Sequence, residues 1–561
     1  MSSSHQKDGQ SISSRASQHD NIPMESDTWQ DRCQTLESAN LLVQASAKSI
    51  IQDLPSILPL IEAANSSGVR LLDARTVESL LTIVPKVPES PKKASTGLSQ
   101  STLSLSEEES PIGRVIAPVR SSPINKPPRA IGQSDYSIDE FPMEAADVDS
   151  QIEIHFDITG NSVTEGKMKD MQSCFNSRLV QIRELMVTKT ILPRRPIRNS
   201  DAWRNRQRHS SKDYEITLVG LVVSTRWART GSLIFTIEDE DSQIQCILKP
   251  PSDASPLHPS LDGLMHDEIV GVSGHFMSGE RDPIFFVRDI HQPPLPNHSK
   301  SSAGIDQAVS AAFLSDVHLG SKTFLDAQWE KMIHWFKNDP LARTIKYFVL
   351  NGDGVDGVGI YPGQERHLLI TDLFNQYSEL ARMLEEIPDW VDVVMLPGNH
   401  DAVRPAEPQP ALEPDIQQDY SNTVFVGNPC DFSLHGVRVL SYHGKSIDDF
   451  VATLRSVTYS KPEMAMKAML ERRHLAPSWG GKTPLSPEPE DRMVISEVPD
   501  IFVTGHVHGH FVGDYRGTTM VHSSTWQDQT DFQRMLGFQP KPCILTVVNL
   551  ETFATKSIPF S

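Results

Sequence analysis

Apolar residues follow three rhythms along this 561-residue chain. From Ala311 onward they come in solid runs of four or five that stop at Gly, Asp or Asn: FLSDVHLG, FVLNGDGVDG, VVMLPGNHD, VLSYHG and IFVTGHVHGH. Runs bounded in this way predict buried strands, and the loops at their C-terminal ends are where an open α/β sheet assembles a site. From Tyr214 to about Pro294 the segments YEITLVGLVVSTRW, GSLIFTIEDED, SQIQCILK, DEIVGVSGHFM and PIFFVRDIHQ predict five short strands of a small Greek-key barrel. From Thr28 to Val84 apolar residues return at helical spacing, broken by Pro55, Pro59 and Gly68, which predicts a small module of three or four helices.

The polar stretches set the boundaries. Residues 1–27 are rich in Ser, Gln, Asp and His and read as a disordered tail. Residues 85–149 are Ser/Pro-rich and read as a flexible linker. Residues 150–300 form the barrel domain, preceded by the strand-like IEIHFDITG, a helical stretch from Glu165 to about Met186 and a basic segment. Residues 308–561 form the last domain. The fold class expected is therefore multidomain α+β.

Composition narrows the function. Lys plus Arg number 52 against 72 Asp plus Glu, a formal charge of −20, which argues against a basic nucleic-acid coat. An acidic site holding divalent cations can still act on nucleic acid. Cys33, Cys174, Cys246, Cys430 and Cys543 form no CxxC pair, so neither a disulfide framework nor a zinc ribbon is indicated, and a reduced, cytoplasmic setting is expected. No 20-residue apolar stretch and no charged-then-apolar leader follows Met1, so no membrane contact is expected.

The five runs each end in ligand chemistry. Asp316 and His318, two residues apart after AAFLS, project to one side of an extended segment and can chelate one ion. Asp353 ends KYFVL between glycines and can bridge two ions. Asn399 ends VDVVML with His400 beside it as a candidate acid; His443 follows VRVLSY, and His506 and His508 follow DIFVTG. Imidazole, carboxylate and amide-oxygen ligands suit Mn, Fe or Zn better than Ca or Mg. Any one of these residues alone reads as a satisfied structural residue, whereas five in order do not. His334, His367, His435, His474, His510 and His522 lack this setting and are read as structural.

Two further stretches bear on nucleic acid. Between Arg194 and Lys212 seven basic residues face the single acid Asp201, with Trp203 among them; Arg204, Arg206 and Arg208 fit either a solvated surface or phosphate contact. Arg226, Trp227 and Arg229 lie in the first barrel hairpin, where single strands can meet a basic, aromatic groove.

The barrel resembles an OB-fold, and the ordered set D-x-H, GD-x-x-D, GNHD, H and GH-x-H resembles the calcineurin-like metallophosphoesterases over about the last 250 residues. That resemblance implies a four-layer α/β/β/α sandwich holding two ions. It assigns Asp316, His318 and His508 to the first ion, Asn399, His443 and His506 to the second, Asp353 to both, His400 as proton donor and Asp356 as the carboxylate orienting His400. From Gln151 to Ser561 the chain also resembles the small subunits of archaeal family D DNA polymerases, through DITG, YPGQE, MLPGNHDAVRPAEPQPAL and ERRHLAPSWGGKTPLSPEPED. This implies a manganese-dependent 3′-5′ proofreading exonuclease acting on DNA 3′ ends, partnered by a large polymerase subunit and, through the complex, a sliding clamp. Two alternatives stay open: a mainly bridging subunit with weak catalysis, and a general metallophosphatase or phosphodiesterase.

Overall fold

The computed structural model describes residues 145–561 apart from 190, 211–214, 250–262, 278–283, 301–308 and 536–537. Of residues 1–144 it describes Leu36, Leu42–Val43, Ile50–Ile51, Leu60–Ile61, Ala64, Leu71–Leu72 and Val77. The expected tail 1–27 and residues 85–144 of the expected linker lie outside the described residues.

Within residues 1–120, Leu36, Ile51, Leu60, Ala64 and Val77 are helical and fully buried. The same unit also contains a two-residue parallel ladder, Leu42–Val43 against Leu71–Leu72. This corrects the all-helical expectation, because runs as short as LLV and LL satisfy either period.

Residues 121–561 form a separate unit. Five strands, Ile216–Trp227, Leu233–Glu238, Gln243–Leu248, Ile269–Phe276 and Phe285–His291, close into a barrel. The first pairs with the second and fourth, and the third runs parallel to the fifth. Inward residues such as Leu218, Phe235, Cys246, Val272 and Phe285 fill it.

Two six-stranded sheets follow. In the first, Thr423–Phe425, Asp392–Leu396, Ile345–Asn351 and Ser310–Leu314 lie parallel, extended by the antiparallel strands Ile544–Asn549 and Thr555–Pro559. In the second, Val437–Ser441, Ile501–Thr504 and Thr518–His522 are parallel, with Phe511–Tyr515 on one edge and Cys430–Leu434 then Ile152–Phe156 on the other. Alternation sorts the side chains. Phe313, Val349 and Val394 meet Phe432, Val439, Val503 and Val521 between the sheets. Ala312, Leu314, Phe348 and Leu350 face out, under helices Asp326–Asn338 and Leu373–Leu384. Leu440, Phe502 and Met520 face the opposite way, under helices Ile447–Thr453 and Pro462–Arg472. The layer order is helix, sheet, sheet, helix.

Two expected boundaries move. The strand Ile152–Phe156 belongs to the second sheet, paired antiparallel with Cys430–Leu434, and not to the barrel domain that follows it in sequence. Alternation predicts a strand without saying whose edge it completes. Ala145–Asp147 forms a short 3-10 turn with Ala145 buried, so the fold begins a few residues inside the expected linker.

Buried arginines fasten barrel to sandwich. Arg178, on helix Met168–Thr188, places Nε 2.6 Å from Asp491 and donates to the carbonyls of Asp267 and Pro477. Leu179, Ile182 and Met186 of the same helix pack on Val219 and Ile269 of the barrel. Arg472 pairs with buried Glu268 at 2.6 Å. No described helix is long and apolar enough to cross a membrane.

Candidate metal centre

All five ligand-bearing loops leave the C-terminal ends of parallel strands, three from one sheet and two from the other, so closing the sandwich brings them together. Three groups result, the first two sharing His318: Asp316, His318 and His508; His318, Asp356 and His400; Asp353, His443 and His506. His318 Nε2 and His508 Nε2 stand 3.0 Å apart, with Asp316 Oδ1 3.8 Å from the first and 3.5 Å from the second. Asp353 Oδ2 lies 3.3 Å from His443 Nε2 and 3.8 Å from His318 Nε2, between the two groups. Its Oδ1 accepts the His400 amide at 2.8 Å.

The backbone is bent to make this possible. Asp316, His318, Asp353, His506 and His508 all take positive φ, from 51° to 74°. Non-glycine residues rarely adopt that region, and such strain gathers at functional sites. Gly352, at φ 88°, leaves room for His443, since a Cβ there would collide with Nδ1 of that ring. At Gly398 a Cβ would collide with Asp353 Oδ1.

Tautomers show what the centre is built to hold. His443 Nδ1 is 3.1 Å from the Asn351 carbonyl, which can only accept, so Nδ1 carries the proton. In the neutral ring the Nε2 lone pair then points at the Asp353 carboxylate. His443 Nε2 and Asn399 Oδ1 are both buried without a hydrogen-bond partner. Lone pairs converging on one another need a proton or a metal cation between them, and the imidazole, carboxylate and amide-oxygen set fits a Mn-, Fe- or Zn-type ion.

The electrostatics express the same demand for positive charge, which protons on His318 and His443 meet where an ion does not. Burial works against charge on His318, yet Asp316, Asp356 and Asp353 outweigh it and hold its pKa well above the usual histidine range. His443 is also opposed by burial and is raised by Asp353 to about 9. Burial would raise the Asp353 carboxyl, but His443, His400 and His318 hold it below the usual range. Burial dominates at His400, whose pKa is lowered despite Asp353. His506 falls to about 4 through burial and then Lys445.

The supporting partners differ from expectation at one point. The Asp356 carboxylate faces His318 Nδ1 at 3.1 Å and accepts from Gln364 at 3.1 Å and Gln527 at 3.2 Å. His400 Nδ1 donates instead to the Asp356 carbonyl at 2.8 Å, with the carboxylate 3.9 Å away. Asp356 therefore orients His400 through its main chain and His318 through its side chain. Sequence reading misses other partners too. Asp448 Oδ2 is 3.3 Å from His506 Nε2 and accepts from Lys445 at 2.8 Å. Gln533 Nε2 is 2.8 Å from His508 Nδ1. The Asp401 carboxylate accepts from Gly398 at 2.8 Å and Gly354 at 3.3 Å, tying two ligand loops together. Only Asp401 carries a sequence signal, its place in PGNHD.

The basic residues lie elsewhere. Arg204 pairs with Asp201 at 3.1 Å, and the Arg206 guanidinium lies 5.1 Å from the Trp203 ring centre; Arg208 is exposed in the turn Arg208–Ser210. Arg226, Trp227 and Arg229 are exposed around the first barrel hairpin, with the Arg455 guanidinium 4.8 Å over the Trp227 ring.

The family of DNA polymerase alpha/epsilon B-subunits matches residues 311–513. The DNA polymerase II small subunit of Methanocaldococcus jannaschii is 37% identical over 73% of this chain and 69% of its own length. That of Thermoplasma acidophilum is 38% identical over 67% of this chain and 77% of its own length. A solved structure titled "Structural and Functional Characterization of a Novel Archaeal Phosphodiesterase" aligns with 45% of this chain and 99% of its own at 12% identity, with a TM-score of 0.24.

Proposed function

The chain belongs to the family of archaeal DNA polymerase II small subunits, and from that premise we propose that its sandwich is a calcineurin-like, two-metal 3′-5′ exonuclease that edits DNA ends beside a large polymerase subunit. The observation that carries the proposal is the place of Asp353, whose carboxylate stands between His318 and His443 at ion-bridging range. In this reading Asp316, His318 and His508 would hold one ion and Asn399, His443 and His506 the other, with Asp353 available to both. Two manganese ions so held would supply Lewis acidity and lower the pKa of the attacking water.

The chain's own residues do the rest. His400 donates its Nδ1–H to the Asp356 carbonyl, which fixes the ring and leaves Nε2 free to face a substrate. In the imidazolium form, which the lowered pKa makes the minor one until an anionic substrate arrives, the Nε2 proton passes to the oxygen that leaves phosphorus. Asp356, Gln364 and Gln527 lock His318 in the tautomer whose Nε2 lone pair faces the centre. The barrel is read as an OB-fold, supported by its strand order, and Arg226, Trp227 and Arg229 as its contacts to single strands.

The test is release of nucleotides from 3′-labelled single-stranded and mismatched primer-template DNA with Mn²⁺, alone and with the large subunit. Stepwise 3′ loss that vanishes in His400→Ala is the expected result. Absence of cleavage by the wild-type pair would reject it.

A further inference from the structure

The first barrel hairpin meets the segment that leaves helix Ile447–Thr453, where the Arg455 guanidinium lies over Trp227. That helix begins beside the metal centre: Asp448 holds His506, and Lys445 holds Asp448. The helix itself spans seven residues, about 10 Å at a rise of 1.5 Å per residue, and Arg455 follows its last residue by two. The hairpin therefore stands a few nucleotides' length from His506.

The chemistry of this ridge is unlike that of the rest of the molecule. The chain carries 72 acidic residues, yet none lies from Leu221 to Ile237 or from Phe450 to Pro462; of the two acids between Lys445 and Arg455, Asp448 is held by Lys445 and His506, and Asp449 is buried and accepts from the Lys482 and Thr483 amides. Arg226, Arg229 and Arg455 are exposed, and among the described residues no carboxylate forms an ion pair with any of them. Trp227 keeps 37% of its surface exposed, with one face under the Arg455 guanidinium. A cationic ridge carrying an aromatic ring suits a polyanion that also has flat apolar faces.

We propose that single-stranded DNA crosses from the barrel to the metal centre along Trp227, Arg455 and Lys445, so that the strand end enters from the His506 side. The inference rests on the nuclease reading for what happens at the end of the path. The path itself is a binding surface and acts without metal.

Fluorescence anisotropy with labelled oligo-dT of two, four and eight nucleotides, in EDTA, tests it on the full-length chain. Wild-type affinity should rise with length. Trp227→Ala should lose about tenfold or more on the longest probe. Arg455→Ala should also weaken binding and lower the slope of log affinity against log salt by about 0.7, with Arg455→Lys retaining that slope. Each variant is exposed, and an unchanged unfolding midpoint checks its fold. Wild-type affinity and salt slope in both alanine variants would overturn the proposal. So would loss of co-elution with the large subunit at unchanged DNA affinity, which would make the ridge a protein interface. Failure of the nuclease reading would appear separately, as no Mn²⁺-dependent cleavage by wild type in an assay that the metal-free binding data do not depend on.

Discussion

Asp356 turns its carboxylate to His318, Oδ1 to Nδ1 at 3.1 Å, and gives His400 only its main-chain carbonyl. The two histidines should therefore respond differently to its loss. Asp356→Ala should weaken Mn²⁺ binding about 10- to 100-fold, because a ligand histidine loses the group that fixes its tautomer. His400→Ala should leave Mn²⁺ affinity unchanged and slow cleavage about 10²- to 10⁴-fold. Calorimetric titration beside a cleavage assay separates the two, and loss of metal from His400→Ala would refute the assignment.

A second carboxylate has the same role on the other side of the centre. Asp448 faces His506 Nε2 at 3.3 Å, leaving Nδ1 as the nitrogen available to an ion. Asp448 also accepts from Tyr459 at 3.0 Å, so its own position is fixed. Asp448→Ala should lower affinity at one of two Mn²⁺ sites by about 10- to 100-fold and spare the other. Two equally weakened sites would show general damage instead.

Asp353 offers a sharper measurement. Ligand binding to the folded state alone raises stability by about 2.7 kcal/mol when free ligand is 100 times its dissociation constant. Mn²⁺ should thus raise the wild-type unfolding midpoint. Asp353→Asn should remove most of that rise, since one carboxylate lies between both groups of ligands. A full Mn²⁺ shift in Asp353→Asn would mean that the ion sits elsewhere.

Much of this is legible in the sequence because each ligand ends a run of buried residues, and the run itself predicts where the loop emerges. Asp316, His318, Asp353, His443, His506 and His508 all converge as strand ends should. What escapes sequence reading depends on distance along the chain. Gln527 reaches Asp356 across 171 residues, and no local pattern marks a glutamine for that task. Ile152–Phe156 alternates like any edge strand, and only the exposed edge of Cys430–Leu434 decides where it docks. Family spacing pairs the Asp356 carboxylate with His400 rather than His318, because spacing names a partner without saying which of its atoms makes the contact.

Away from the centre, His474 makes stability depend on pH. It is 1% exposed, its Nε2 lies 3.0 Å from Asp491, and its Nδ1 accepts the Ala476 amide. Burial first, and Arg178 second, lower its pKa to about 4 despite Asp491. A histidine depressed in this way contributes stability in full above its unfolded value near 6.5, and that stability is lost as pH falls toward 4, because the unfolded chain takes up a proton that the folded chain refuses. The full effect is about 3 kcal/mol. Charges facing the ring are Arg178 and Asp491, and Asp491 is itself held below the usual carboxylate range, with burial overcome by Arg178 and His474, so acid acts on it only further down. Thermal unfolding from pH 7.5 to 4 should show wild type losing stability faster than His474→Gln, which can keep a donor to Asp491 and cannot titrate. Parallel profiles for the two proteins would mean that the ring does not control the joint between helix Met168–Thr188 and the sandwich.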